Sequence, residues 1–371
     1  MNNPTIPFFS SQPMHTAMRE EALEAMRRVY DSQWYVLGPE VTEFERVYCE
    51  FNHVAHTVGV GSGLEALTLA LRALGIGPGY EVLVPSNTYI ATWLAVTHAG
   101  ATPVPVEPDP ATSNLDPANL AAALTPRTRA IMPVHLYGQP CQMPEILAFA
   151  RQHGLLVVED NAQAQGATFN GQLTGSFGDA GATSFYPTKN LGALGDAGAI
   201  TTNDADLAQQ LRLLRSYGSA QKNQHELLGY NSRLDELQAA LLLVKLRHLC
   251  IWTRQRRQLA AWYTAHLAGL PGLRLPAPAA GAEPVWHLYV VHTARRAALQ
   301  QHLAAQGIGT LVHYPVPPHL QPAYAHLGLP AGALPIAESL AATCLSLPLW
   351  PGMTEAMVAT VGRAIRAFYA S

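Results

Sequence analysis

Short continuous apolar runs alternate with helical spacing through the first half of this 371-residue chain. Residues 81–85, 102–106, 130–135 and 155–160 are runs of strand length. Residues 65–74, 88–98 and 144–153 carry apolar positions every three or four residues, and Asp116-Pro117 opens a further helix with proline at its first position. Strands that are apolar on both faces and alternate with helices predict a parallel sheet covered on both sides. Beyond residue 180 the pattern changes. Two extended runs, 182–186 and 197–202, flank a glycine-rich loop. A helix is expected over 204–215, and a long one from 234 that continues to about 267. Residues 271–284 are rich in proline, alanine and glycine. The remainder, strand-like over 286–292 and helical over 297–306 and 356–369, predicts a smaller α+β unit. The expected division is 1–255 for a large α/β domain and 256–371 for a smaller one. No internal repeat is visible.

Composition narrows the class. Hydrophobic residues make up 49% of the chain and charged residues 13%, which excludes a disordered chain. The 29 glycines and 28 prolines are scattered without period, which excludes a fibrous one. A net charge of -3 leaves no basic excess for a nucleic acid, so no such partner is expected. Cys49, Cys141, Cys250 and Cys344 form no CxxC pair; this argues against a zinc ribbon or a disulfide framework and fits a reducing compartment. The opening MNNPTIPFFSSQP lacks the charged and apolar regions of a signal peptide, and no apolar run reaches the roughly 18 residues that span a bilayer. A cytoplasmic protein without a membrane partner is expected. His53/His56 and His313/His319 lack a carboxylate-rich partner set, so no metal is expected.

Three motifs carry the chemistry. Gly59-Val-Gly-Ser-Gly63 precedes a helix, where free N–H groups and the dipole can cradle a phosphate; alone, it reads as a tight turn. Asp160 ends an apolar strand, where open α/β sheets bind ligands; alone, it could cap the next helix. Lys189 stands in a glycine-rich apolar stretch, where an amine of depressed pKa can form a Schiff base; alone, it reads as a surface lysine. Together they change the reading. A lysine to bond the aldehyde, a carboxylate for the pyridine nitrogen and a phosphate cradle are what pyridoxal 5'-phosphate requires. His135 is read as either pocket-lining or packed, the run Arg247, Arg254, Arg256 and Arg257 as a solvated helix face, and Arg233 as a partner of Asp235 or a nearby carboxylate.

The motifs VGVGSGLEAL, VPSNTYIATW, VHLYGQP, VVEDNAQAQGA, SFYPTKNLGALGDAGA, GYNSRLDELQAA and HYPVPPHLQPAY occur in order. With WYVLGPEVTEFE at 34–45 and SLPLWPG at 346–352, the chain closely resembles the DegT/DnrJ/EryC1/StrS family of pyridoxal-phosphate-dependent sugar aminotransferases. NTYIATW, KNLGALGD and HYPVPPHLQ most resemble its members that aminate C3 of dTDP-3-keto-6-deoxyhexoses. The resemblance implies a type I (aspartate aminotransferase-like) fold, and a homodimer with its active site at the interface. It implies L-glutamate as amino donor and a nucleotide-linked keto sugar as acceptor; amination at C4, or of a UDP-linked 3-keto sugar, is the alternative.

Carried over by position, Lys189 would bond the cofactor, Asp160 would pair with the pyridine nitrogen, Gln163 would bond the ring hydroxyl and Tyr89 would stack on the ring. Ser62, Gly63 and Ser184 would bind phosphate, with Asn231 supplied by the other subunit. Tyr35, Tyr186, Tyr217, Lys222, His313 and Tyr314 would line the sugar and nucleotide site. Two positions depart from the family pattern: Leu64 stands where many relatives have Thr, removing a hydroxyl donor, and Gln165 where many have His. Other pyridoxal-phosphate reactions, and a regulator that retains the fold, are the rival classes; the complete Lys189, Asp160 and Gln163 set speaks against the latter.

Overall fold

The computed structural model describes residues 6–221 and 223–370. Its centre is one sheet of seven strands: β1 (His56–Val60), β2 (Glu81–Pro85), β3 (Thr102–Val106), β4 (Thr128–Ile131), β5 (Leu156–Asp160), β6 (Ala180–Ser184) and β7 (Gly198–Thr202). The spatial order is β1-β7-β6-β5-β4-β2-β3. Strand β7 runs antiparallel to both of its neighbours, and the other six run one way. Every residue of β2 and β7 is buried, which is why their sequences read as unbroken apolar or small-residue runs.

The helices that position the site are α1 (Pro39–Asn52), α2 (Gly63–Ala73), α3 (Ile90–Ala99), α4 (Met143–His153), α5 (Ala205–Leu214) and α6 (Glu236–Leu267). Leu67, Leu71 and Trp93 of α2 and α3 pack on Val58, Val82 and Val84 in one core. Leu83, Ile131 and Val157 face a second core with Ile146 of α4. Beyond α6, α7 (Arg296–Ala305) and α8 (Glu355–Ala370) cover an antiparallel pair, β8 (Tyr289–His292) and β9 (Cys344–Leu347).

Helix α6 is continuous across residue 255, but its packing partners change along it. Up to Trp252 it packs with Phe44, Tyr48 and Phe185; from Leu259 onward it packs with Tyr289, Leu345 and Ile365. We propose the division between the two units at that change. Ile6, at the other end of the chain, joins the second core and bridges to Ile308.

The structure corrects several local expectations. Regular pairing of the run 130–135 ends at Ile131; beyond it only single contacts to the sheet persist, Pro133 accepting from the Asp160 N–H at 2.9 Å and His135 donating its own N–H to the Asp160 carbonyl at 3.1 Å. After Asp116 the chain makes a 3-10 turn, Pro117–Asn119, and one short helix, Leu120–Ala123, in place of a longer helix. Arg256 does not lie on a solvated face. It is buried, and its guanidinium donates to the carbonyls of Trp286, His287 and Leu349.

Candidate active site

The carboxyl ends of the parallel strands converge on a cavity of about 520 Å³. Connectivity explains the convergence. Asp160 ends β5, Ser184 ends β6, Ser62 and Gly63 follow β1, and Tyr89 follows β2. Because β7 runs in reverse, the loop of residues 185–197 that carries Lys189 returns over the same edge. The cavity is lined by Ser62, Gly63, Leu64, Tyr89, Asp160, Gln163, Ser184, Tyr186, Lys189, His313 and Tyr314, with His287 and Asp196 among the other lining residues.

Asp160 is buried at the cavity floor. Its Oδ2 accepts from the Thr92 hydroxyl at 2.9 Å and its Oδ1 from the Ala162 N–H at 3.1 Å. Burial pushes its carboxyl above the usual range; the Thr92 and Ala162 bonds and the charge of Lys189 oppose that. Burial likewise pulls the Lys189 amine down to about 8, against the attraction of Asp160. A lysine in that state has a neutral, nucleophilic fraction near neutral pH far above that of an exposed lysine.

The opposite wall is built for an anion. Ser62 caps α2, its Oγ accepting from the Glu65 N–H at 3.2 Å. The first N–H groups of the helix, those of Gly63 and Leu64, have no intrahelical acceptor. Ser184 Oγ accepts from the Tyr186 N–H at 3.3 Å. Both hydroxyls therefore keep their O–H free to donate. Gly63 permits the closeness: a Cβ there would lie 2.5 Å from the Cβ of Ser184. Leu64 adds no hydroxyl, so this wall rests on N–H groups and two serines.

Gln163 is held on both sides, its Oε1 accepting from the Tyr137 N–H at 2.6 Å and its Nε2 donating to the Tyr314 hydroxyl at 3.1 Å. The rings of Tyr89 and Tyr314 lie 5.1 Å apart. Tyr89 is 53% exposed, so it is a rim residue and not a core aromatic. Burial, and then Lys189, pulls the His313 imidazole down to about 4. Gln165, beneath the site, donates to the carbonyls of Ser184 at 2.8 Å and Ala162 at 3.3 Å and ties the Asp160 loop to β6.

Three candidates do not line the cavity of their own chain. Asn231 sits in an adjoining pocket that shares Ser62 and Asp196 with it, alongside Arg233, which bonds the Asn231 side chain. Tyr217 is half-exposed with the Arg233 guanidinium 5.3 Å from its ring centre, and Tyr35 is half-exposed with its hydroxyl on the Tyr30 carbonyl. Lys222 lies outside the described residues. His135 is fully buried and packed. Its Nδ1 accepts from the Cys141 N–H, so its Nε2 carries the proton and donates to Glu159 at 2.9 Å. Thr92, Asp196 and His287 were not singled out from sequence; the hydroxyl of Thr92, three residues after Tyr89, in the motif NTYIATW, was a usable signal.

The cavity thus offers an amine for an aldehyde, a buried carboxylate for a ring nitrogen, an amide for a ring hydroxyl and a helix terminus for a phosphate. That donor set fits pyridoxal 5'-phosphate. Comparison with known proteins agrees. A model of the DegT/DnrJ/EryC1/StrS aminotransferase family matches residues 16–366. The dTDP-3-amino-3,4,6-trideoxy-alpha-D-glucose transaminase of Streptomyces venezuelae is 52% identical over 98% of this chain and 96% of its own. The dTDP-3-amino-3,6-dideoxy-alpha-D-galactopyranose transaminase of Aneurinibacillus thermoaerophilus is 48% identical over 98% of this chain and 99% of its own. The crystal structure of S. venezuelae DesV in complex with a ketimine intermediate superposes with a TM-score of 0.97 at 52% identity, covering 99% of both chains. The fold is that of the type I pyridoxal-phosphate enzymes, and the chain belongs to the DegT/DnrJ/EryC1/StrS aminotransferase family.

Proposed function

We propose that the protein transfers the amino group of L-glutamate to C3 of a dTDP-linked 3-keto-6-deoxyhexose. The observation that carries this reading is the meeting of the Lys189 amine and the Asp160 carboxylate in one cavity, opposite a free helix terminus. The two named relatives form 3-amino sugars on dTDP, one from a 4-deoxy and one from a galacto-configured sugar. Pyridoxal 5'-phosphate, when bound, supplies an electron sink for the bonds at the amino carbon.

The chain's own residues do the rest. Lys189 Nζ would bond the aldehyde carbon of the cofactor, and its amine, when released, would take the proton from the donor's Cα. Asp160, its carboxyl oriented by Thr92 and Ala162, would pair with the ring nitrogen and favour its protonated form. Gln163 would bond the ring hydroxyl, and Tyr89 would pack on the ring face. Gly63, Leu64, Ser62 and Ser184 would hold the phosphate. Tyr186, His313 and Tyr314 face the sugar.

The active unit is a cytoplasmic homodimer. Tyr30, Trp34, Tyr35 and Val36 present a contiguous exposed apolar surface, at 74%, 58%, 49% and 44%, of the kind that marks an interface. Asn231 and Tyr217 serve the cavity of the opposite protomer, which accounts for their absence from the lining of their own. Among the described residues no helix is long and apolar enough to cross a membrane.

The test is the visible absorbance of the holoenzyme. L-Glutamate bleaches the cofactor band, and dTDP-3-keto-6-deoxyglucose, its galacto epimer or its 4-deoxy analogue restores it; the fastest of the three identifies the sugar. Restoration by a UDP-linked 3-keto sugar or a 4-keto sugar alone would overturn the substrate, and a band indifferent to glutamate would overturn the donor.

A further inference from the structure

Lys245 is a buried lysine that the proposed chemistry does not use. It lies in the first third of α6, and no carboxylate pairs with it among the described residues. Burial alone pulls its amine down to about 8. An unpaired buried ammonium is destabilising, so its presence calls for a compensating role.

Its bonds indicate that role. Lys245 Nζ donates to the Gly192 carbonyl at 2.5 Å, and on the other side lies 3.5 Å from His15 Nε2. Gly192 is three residues from Lys189, in the same loop. One face of α6 reaches this loop twice: Gln238, two turns before Lys245, accepts the Leu194 N–H at 2.8 Å. A carbonyl and an N–H of the loop are thus gripped by a donor and an acceptor from one rigid helix. The loop is tight at this point, since a Cβ on Gly192 would stand 2.4 Å from the Pro187 carbonyl. On its far side Asn190 donates to the Val285 carbonyl at 3.1 Å and meets His287 at 3.2 Å. Among the described residues Lys189 itself is hydrogen-bonded through its main chain alone, its N–H to the Tyr186 carbonyl at 2.8 Å. Its side-chain placement therefore depends on how the loop is held.

We propose that Lys245 is a positioning residue, which fixes the Lys189 loop through the Gly192 carbonyl and so sets where the Lys189 amine meets the cofactor. The inference rests on Lys189 bonding the cofactor and not on the identity of the sugar.

The test compares Lys245→Met and Lys245→Arg with the wild type. Met keeps the apolar stem and removes donor and charge; Arg keeps both. For Lys245→Met we expect a thermal midpoint of the cofactor-free protein close to that of wild type, because relief of the unpaired charge offsets the loss of the donor to the Gly192 carbonyl. We also expect a shifted pH midpoint of the cofactor-bound visible band. Bleaching by glutamate slows on the order of 10–100-fold with the half-saturating glutamate concentration unchanged, as a misplaced reacting group predicts, and Lys245→Arg recovers both readouts. A Lys245→Met protein with the wild-type band midpoint and bleaching rate overturns the proposal. So does a thermal midpoint that falls along with the rate, which makes Lys245 a packing residue, and so does a folded Lys245→Arg that recovers neither readout. A wild-type band that ignores glutamate counts against the proposed donor alone, because the band midpoint still reads the positioning.

Discussion

A lysine amine held at about 8 in a folded protein implies a pH dependence whose sign can be worked out. The unfolded chain keeps its lysine protonated up to about 10.5, so between these values it binds more protons than the folded protein. The burial penalty is fully present below about 8 and is relieved as the pH rises toward 10.5. Lys189 and Lys245 act in the same direction. Burial raises the Cys141 and Cys344 thiols and acts in the opposite sense above about 9, so the expectation is a difference: between pH 8 and pH 10 the stability of the cofactor-free wild type against urea rises relative to that of Lys189→Ala. Equal changes in the two proteins would show that Lys189 is not desolvated. The same substitution is expected to abolish transamination and the cofactor-bound visible band, while the far-ultraviolet dichroism stays that of the folded protein. Lys189 makes no side-chain bond that its removal would orphan, so retention of wild-type turnover would end its assignment.

At the scale of elements, the parts of the site that depend on close backbone approach are the most exposed to small changes. Gly63→Ala places a Cβ against Ser184 at the first turn of α2. The clash is with a strand residue and cannot be relieved by rotating a flexible tip. We expect about 1–3 kcal/mol of lost stability and weaker cofactor retention on dialysis, while Gly77→Ala, whose added Cβ would meet only the Ala99 carbonyl at 3.4 Å, leaves cofactor retention unchanged. Arg256→Met is a second case. One buried guanidinium serves three carbonyls, two of them at Trp286 and His287 beside the cavity. Leaving those acceptors bare costs about 3 kcal/mol net of the relieved charge, read as a lower urea midpoint.

These elements also show where the sequence was informative. Strands β2, β3 and β5 were legible because a sheet buried on both faces writes its strands as apolar runs. The end of β4 was not, since Met132 and Val134 stay buried and apolar and keep single contacts to the sheet after regular pairing ends. The change of core within α6 was visible only as a region, because helical periodicity continues unbroken through it. Lys189, Asp160 and Gln163 could be picked out because each sits in a local motif. The Thr92 bond to Asp160 joins residues 68 apart, and His287 reaches the cavity from the second unit. Both depend on strand order and on the packing of the two units, which no local pattern encodes. Arg256 was misread because four arginines in one stretch of helix suggest a wet face, whereas at 2% exposure this one points inward.

For the molecule as a whole, the decisive question is whether the cavity is completed by a second copy. Asn231 lies outside its own cavity, next to a pocket that shares Ser62 and Asp196 with it. If Asn231 acts across a two-fold interface, each site takes Lys189 from one protomer and Asn231 from the other. Lys189→Ala and Asn231→Ala homodimers then each lack activity or nearly so. In a heterodimer of the two, one site carries both lesions and the other carries none. Random reassociation of equal amounts is expected to give about half heterodimers, and hence about one quarter of the wild-type sites. If Asn231 acts within its own protomer, every site in the heterodimer keeps one lesion and mixing restores nothing. Subunits mixed under mild urea, refolded with pyridoxal phosphate and assayed by recovery of the bleached band separate the two cases. Trp34→Asp, placed in the exposed apolar segment, provides the control: it is expected to give monomers by light scattering and to abolish complementation even where each chain is folded.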